Sequence, residues 1–151
     1  MRDSATVVID VPAIDVWKVV SDIRNTGKFS PEVFEAEWLD GAAGPALGAK
    51  FRGHVKRNEI GPVYWTTCRV TACQPGKEFG FEVLVGERAV NNWHYKFEPR
   101  GETSTKVTES FWFPFPAPLR PLEPLFFLRR RRNVRDMTTT LNRIKDYVEQ
   151  G

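Results

Sequence analysis

Residues 134–148 repeat an apolar side chain every three or four positions, which predicts an amphipathic helix. The apolar stripe consists of Val134, Met137, Leu141, Ile144 and Val148. The opposite face carries Arg135, Asp136, Asn142, Arg143 and Asp146. Because such a helix can bury only one of its sides, it needs a broad apolar partner. We therefore expect it to lie against a sheet.

The middle of the chain supplies that sheet. Between residues 33 and 112 apolar and polar residues alternate, with Gly and Pro between the alternating runs, which is typical of an antiparallel meander. A β-branched strand at 5–11 and a helix from Pro12 to about Ser21 come first, followed by a broken connection at 25–32 with a second short helix. Six further strands are predicted at 33–40, 48–57, 62–74, 77–85, 90–99 and 103–113.

Length and composition favour a single globular domain. The chain has 151 residues, of which 41% are hydrophobic. No stretch approaches the roughly 20 apolar residues that span a bilayer, and no secretory signal precedes the first strand, so we expect a cytoplasmic protein. No metal-ligand spacing, phosphate-binding loop or dinucleotide fingerprint occurs, and neither a cofactor nor a metal is expected.

Polar residues indicate which side of each strand faces inward. The inward positions are Phe51, Gly53 and Val55; Tyr64, Thr66, Cys68, Val70 and Ala72; Phe79, Phe81, Val83 and Val85; Trp93, Tyr95 and Phe97; and Val107, Glu109 and Phe111. The carboxylate of Glu109 is the exception in this apolar set. Cys68 and Cys73, five positions apart, are predicted to point to opposite faces and to remain free thiols.

Turn residues predict how the strands pair. A two-residue turn at Pro75-Gly76 would pair Ala72 with Phe79, Val70 with Phe81 and Cys68 with Val83. A three-residue loop at 100–102, with Gly101 left-handed, would pair Tyr95 with Val107 and Trp93 with Glu109. Two rows of inward neighbours follow from these pairings: Phe51, Cys68, Val83, Trp93, Glu109, and Val70, Phe81, Tyr95, Val107.

Five local segments add to this order of elements. They are Val-Pro-Ala-Ile-Asp-Val-Trp-Lys-Val-Val-Ser-Asp at 11–22, Ser-Pro-Glu-Val at 30–33, Gly-Ala-Lys-Phe-Arg-Gly at 48–53, Val-Thr-Glu-Ser at 107–110 and Met-Thr-Thr-Thr-Leu-Asn-Arg-Ile-Lys at 137–145. Together they resemble the START-like helix-grip superfamily (SRPBCC), particularly its bacterial polyketide cyclase/dehydrase and lipid transport branch. The resemblance implies one α+β domain over 1–151. Its expected architecture is a seven-stranded curved antiparallel sheet wrapped around a long C-terminal helix, with two short helices after strand one.

The same resemblance implies a ligand cavity between sheet and helix, which in that superfamily holds sterols, lipids, polyketides or hormones. Transferred to this chain, the expected lining residues are Phe51, Tyr64, Cys68, Phe81, Val83, Trp93, Tyr95, Glu109, Phe111, Met137 and Leu141. Met137 and Leu141 would form the roof. Cys68 is expected to be an inert filler, because no histidine is predicted beside it.

Glu109 is the candidate catalytic residue. A carboxyl on an inward strand position would lose water, which raises its pKa and allows it to donate a proton or to anchor a ligand hydroxyl. The alternatives are an ion pair with an arginine or a place near an open, wet end of the sheet. Arg130 or Arg131, which extend the apolar stripe, could be that arginine or could meet a ligand carboxylate.

The run Arg129, Arg130, Arg131, Arg132 is interpreted first as a solvated face. With Phe126 and Phe127 beside it, the alternative is peripheral contact with an anionic membrane. Nucleic-acid binding is not expected, because no recognised module frames the run. The sequence assigns no oligomeric state.

Three functional hypotheses remain open. The first is non-catalytic binding or transport of an apolar small molecule, lipid or polyketide-like, in the cavity. The second is a cyclase or dehydratase that uses Glu109 as general acid or base, with Tyr64 or Tyr95 orienting a substrate oxygen. The third is an interaction module whose own aromatic side chains fill the cavity.

Overall fold

A computed structural model gives the structure, which describes residues 1–56 and 62–151. Within them seven strands form one antiparallel sheet in the order β1-β7-β6-β5-β4-β3-β2. The strands are β1 Arg2–Ile9, β2 Val33–Trp38, β3 Lys50–Lys56, β4 Val63–Gln74, β5 Glu78–Val85, β6 Arg88–Pro99 and β7 Thr105–Trp112. The predicted meander runs from β2 to β7, and β1 completes the sheet by pairing with β7.

The helices follow the predicted order. Two short helices, α1 Ala13–Ser21 and α2 Thr26–Phe29, flank a 3-10 turn at Ile23–Asn25. A 3-10 segment, Ala117–Phe126, leads into the long α3, Phe127–Gln150. Pro121 and Pro124 lie inside the 3-10 segment, where their missing N–H groups oppose a regular α-helix. Among the helices of the described residues, none has the combination of length and apolar character needed to cross a membrane.

The predicted amphipathic helix is the C-terminal part of α3, and it buries one side as expected. Met137, Leu141 and Ile144 are each 1% exposed. Leu141 and Ile144 belong to the main core, whereas Met137 packs with Met1 and Phe111 in a second cluster. The helix lies chiefly along β1, and Lys145 Nζ donates a hydrogen bond to the carbonyl of Val8 at 2.9 Å.

The β4–β5 pairing agrees with the prediction in the middle of the strands and departs from it near the turn. Cys68 pairs with Val83 and Val70 with Phe81, as predicted. A bulge between Val70 and Ala72 then shifts the register, so the predicted pair of Ala72 with Phe79 is wrong: Ala72 pairs with Gly80. The turn contains three residues, 75–77, with Gly76 at a φ of 73°.

The same bulge corrects the prediction for the cysteines. Because Cys73 pairs with the buried Phe79 and packs on the main core, it lies on the inward side, as Cys68 does, and not on the opposite face. Both cysteines are free.

The β6–β7 loop is longer than predicted. It comprises residues 100–104, with the N–H of Arg100 donating to the carbonyl of Ser104 at 2.8 Å, and Gly101 is left-handed, as expected, at a φ of 72°. The register is therefore two residues from the predicted one: Tyr95 pairs with Glu109 and Trp93 with Phe111. A shift of two leaves every inward residue inward, but it gives Glu109 a different neighbour.

A further irregularity, between Val83 and Leu84, places Asn91 opposite Val83. The first predicted row therefore continues from Val83 to Asn91 and not to Trp93. The second row runs through Val70, Phe81, Trp93 and Phe111.

The contact of α3 with the sheet can be tested by replacing Leu141 with Ala. We expect the free energy of unfolding to fall by about 2–5 kcal/mol, because the substitution leaves a cavity in a fully packed core. Urea denaturation measures the change. Asn142→Ala, one position along on the exposed face of the same helix, is the matched control and should change stability by less than about 0.5 kcal/mol. Equal effects of the two substitutions would contradict this packing.

Candidate ligand cavity

A cavity of about 380 Å³ lies between the inner face of the sheet and α3. Eight of the expected residues line it: Phe51, Tyr64, Cys68, Phe81, Val83, Trp93, Tyr95 and Glu109. Phe111, Met137 and Leu141 were also expected there, but within the described residues they are not among those that line the cavity. They are buried in the core beside it.

The orientation of α3 explains that difference. Asn133, Asp136, Thr140 and Ile144 face the cavity, and they are also spaced three and four apart. Neighbouring residues on a helix are about 100° apart, so a helix that turns Met137 and Leu141 toward β1 turns Asp136 and Thr140 toward the cavity. The prediction that Asp136 lies on the solvent face is therefore wrong. The roof of the cavity is largely polar.

Glu109 is buried, with 6% of its surface exposed. The Tyr95 hydroxyl donates a hydrogen bond to Glu109 Oε1 at 3.0 Å, which is a direct result of the β6–β7 register. Oε2 of Glu109 is also buried, and no group in the described part of the chain hydrogen-bonds to it. Oε2 is therefore the atom of Glu109 that is available for a hydrogen bond with a ligand.

Burial sets the protonation state of Glu109. Loss of water raises the pKa of this carboxyl to about 8; the Tyr95 hydrogen bond acts in the opposite direction, and the negative charge of Asp136 adds to the rise. Burial also raises the pKa of Tyr95 well above its usual value. At neutral pH Glu109 is therefore mostly protonated, with Oε1 accepting from Tyr95 and the Oε2 hydroxyl able to donate.

Neither of the arginines expected near Glu109 reaches it. Arg130 forms an ion pair with Asp3 at 3.6 Å, and Arg131 is exposed. Arg132 lies 3.7 Å from Glu32. Of the basic run, Arg129 lines the cavity, and its guanidinium lies 5.5 Å from the centre of the Phe113 ring.

Asn91 is a cavity residue that the sequence analysis missed. It lines the cavity, and its Oδ1 is buried with no hydrogen-bond partner among the described residues. The signal was present: Asn91 lies two positions before Trp93 on β6, so strand alternation alone puts both side chains on the same face. Asn91, Glu109 and Asp136 are thus polar groups that line the cavity together with its aromatic side chains.

One end of the cavity is open. Tyr64 and Val85 line it and are 38% and 68% exposed. Both stand at strand ends, Tyr64 near the start of β4 and Val85 at the end of β5. Tyr64 therefore belongs to the mouth, whereas Tyr95 belongs to the buried end with Glu109.

The remaining candidates contribute no reactive group. Burial raises the pKa of the Cys68 thiol to about 12, so it stays protonated. The two histidines pair with carboxylates: His54 Nδ1 lies 2.7 Å from Glu35, and His94 Nε2 lies 3.0 Å from Glu78. Across residues 1–56 and 62–151, no group of three His, Cys, Asp or Glu side chains is arranged to hold a metal ion.

Several solved structures share this architecture. A protein of Deinococcus radiodurans is 20% identical, covers 100% of this chain and 99% of its own, and has a TM-score of 0.70. The Zhui aromatase/cyclase of a Streptomyces species is 20% identical over 98% of this chain and 95% of its own, with a TM-score of 0.66. A polyketide cyclase-like protein of Corynebacterium glutamicum is 27% identical over 98% of this chain and 91% of its own, with a TM-score of 0.57.

Similarity also extends to a curated sequence. The uncharacterized protein Rv0088 of Mycobacterium tuberculosis is 29% identical over 110 residues, which is 73% of this chain. The aligned region is 46% of that protein, so the chain spans about half the length of this relative.

Residues 3–149 match the family described as "Polyketide cyclase / dehydrase and lipid transport". The match covers nearly the whole chain, and the observed sheet, short helices and C-terminal helix confirm the fold that the resemblance implied. The chain belongs to the polyketide cyclase/dehydrase and lipid transport family.

Proposed function

We propose that the chain binds a neutral, mostly apolar small molecule with an oxygen atom that accepts a hydrogen bond from protonated Glu109. The observation that carries the proposal is the buried, unpartnered Oε2 of Glu109 in the wall of an open cavity. A buried polar atom without a partner costs free energy, and a ligand that supplies the partner recovers it.

The shape of the cavity favours a ring system. Phe51, Phe81 and Trp93 line it, and the rings of Phe51 and Phe81 meet edge to face with centroids 5.2 Å apart. A volume of about 380 Å³ lies in the range of small-molecule sites. Because the side chains leave this space open, the cavity supports a bound ligand better than it supports an interaction module with a self-filled cavity.

The charges of the cavity disfavour an anionic group at its buried end. Asp136 lies there beside the protonated Glu109, and its negative charge opposes a carboxylate that would also lose its water. An uncharged ketone or hydroxyl is not repelled by this charge, and it loses less hydration energy on burial. This favours a polyketide-like ligand over a fatty acid that enters carboxylate first, in keeping with the polyketide enzymes of similar fold.

The proposal predicts how ligand affinity depends on pH. Binding of 2-acetylnaphthalene, whose ketone accepts a hydrogen bond, should weaken by roughly tenfold as the pH rises through the Glu109 pKa of about 8, because the ionised carboxylate cannot donate. Naphthalene, which has no oxygen, should show no such loss. Titration calorimetry or quenching of tryptophan fluorescence measures both affinities.

Two variants sharpen the same experiment. Glu109→Gln keeps an N–H donor at every pH, so binding of the ketone should persist and lose its pH dependence, whereas Glu109→Leu should weaken it at all pH values. Glu98→Gln, on the outer side of β6, is the control. If the ketone and naphthalene bind alike to the unmodified chain at every pH, Glu109 is not the ligand donor.

The pH dependence of protein stability should reveal the raised pKa of Glu109 without any ligand. The pKa of Glu109 is about 8 in the folded chain, against 4.5 as its ordinary value. Between these values the folded chain retains a proton that the unfolded chain has released, so the free energy of unfolding falls as pH rises through this window. The Glu109→Gln variant should lack this pH-dependent fall in the free energy of unfolding. The fall is on the order of a few kcal/mol between the pH values that match the two pKa values. Urea denaturation of both proteins across the window measures the difference; parallel curves would mean that the carboxyl is not desolvated.

A second candidate, cyclase or dehydratase activity, is favoured by the Tyr95–Glu109 pair. A carboxyl that is protonated at neutral pH can act as general acid toward a substrate carbonyl or a departing hydroxyl, and the Tyr95 hydroxyl can then stabilise the carboxylate. On a linear poly-β-ketone the expected reaction is ring closure with loss of water. Mass spectrometry of the product detects the loss. Glu109→Gln should abolish turnover and keep most of the affinity; turnover that survives the substitution would leave binding as the function.

A further inference from the structure

The chain between β7 and α3 exposes a dense set of apolar side chains. None of the residues in Ala117–Phe126 is buried, and α3 begins with two further exposed apolar residues. Six large apolar side chains here are between 39% and 73% exposed: Leu119, Leu122, Leu125, Phe126, Phe127 and Leu128. We call residues 117–131 the linker face. Concentrated apolar exposure of this kind marks an interaction site.

Positive charge predominates on the linker face. Arg120 lies among its leucines, and Arg129, Arg130 and Arg131 follow directly. The single acidic residue of this stretch, Glu123, is 2.9 Å from the N-terminal ammonium group, which compensates its charge. Arg130 pairs with Asp3 at 3.6 Å, whereas Arg120 and Arg131 are exposed. Exposed leucine and phenylalanine beside an excess of positive charge fit a surface that is apolar inside and anionic at its boundary.

Sheet topology places the linker face at the open end of the cavity. In an antiparallel sheet the end of β7 lies at the same edge as the start of β4 and the β5–β6 turn. Tyr64 and Val85, the exposed lining residues, stand at that edge. Phe113, just before the linker face in sequence, and Arg129, within it, also line the cavity. An object that covers the linker face therefore lies beside the mouth.

We propose that the linker face docks on an anionic lipid bilayer and holds the cavity mouth against it. Leucine and phenylalanine side chains would enter the boundary between headgroups and acyl chains, while the arginines would meet lipid phosphates. A second copy of the chain fits less well, because a two-fold contact would bring two sets of arginines together. The inference stands whether or not the cavity ligand is the one proposed above.

The test uses the full chain and two kinds of vesicle, one of phosphatidylcholine and one of an equimolar mixture of phosphatidylcholine and phosphatidylglycerol. Sedimentation of the vesicles measures the bound fraction of protein. We expect clear binding to the anionic vesicles and little to the neutral ones, with binding reduced as salt screens the charges. Equal binding to the two vesicles, or none to either, would overturn the proposal.

Two double variants separate the apolar and the charged contributions. Arg120→Gln with Arg131→Gln should lower partitioning by roughly 25-fold, since an arginine near an anionic surface contributes about fivefold. Leu125→Ser with Phe127→Ser should lower it by about tenfold or more for each side chain. All four residues are exposed, so the fold should survive, which circular dichroism checks.

The matched control lies at the other edge of the sheet. Leu47, in the β2–β3 loop, and Arg100, in the β6–β7 loop, are exposed there. Leu47→Ser with Arg100→Gln should leave vesicle binding unchanged. An equal loss in this control would overturn the proposal, because any exposed leucine and arginine would then suffice. Light scattering that shows a dimer dissociated by Leu125→Ser with Phe127→Ser would also overturn it, in favour of a contact between copies.

Discussion

The packing of α3 along β1 is the contact on which the cavity depends. Leu141 and Ile144 join the core of the sheet, and Met137 extends the contact toward Met1 and Phe111. This contact fixes the rotation of the helix, and the rotation decides which side chains meet the ligand space. Asp136 and Thr140 face the cavity because their apolar neighbours are held elsewhere. An ordinary hydrophobic contact thus gives the cavity a polar roof.

Glu109, in contrast to the packing of α3, lowers the free energy of unfolding. Burial without a cationic partner raises its pKa to about 8, and one of its oxygens has no hydrogen-bond partner in the described chain. A leucine at this position would pack on the same aromatic walls without that cost. Folding alone therefore gives no reason for a carboxyl here. The function proposed for the cavity does, whether Glu109 binds a ligand or transfers a proton.

Much of the fold was predictable because it follows from periodicity. The stripe from Met137 to Val148, strand alternation and Gly101 each depend on nearby residues alone. The pairing of Tyr95 with Glu109 was not predictable, because it depends on the length of a loop whose ends no residue pattern marks. The orientation of Asp136 was missed for another reason: the stripe identifies the buried side, but the neighbouring side of the helix can face either a cavity or water. The position of Asn91 in the cavity could have been predicted, because Asn91 shares its strand face with Trp93.

The β6–β7 hairpin has a consequence for how such domains diversify. Changing its five-residue loop by two residues, with the strands re-paired accordingly, would slide β7 along β6 and leave every inward side chain facing inward. The hydrophobic core would keep its composition, while Glu109 would exchange Tyr95 for a different neighbour. An insertion far from the cavity can thus alter the surroundings of its buried carboxyl without disturbing the architecture. Descendants of one scaffold could acquire new reactivity through hairpin length, before any residue inside the cavity is replaced.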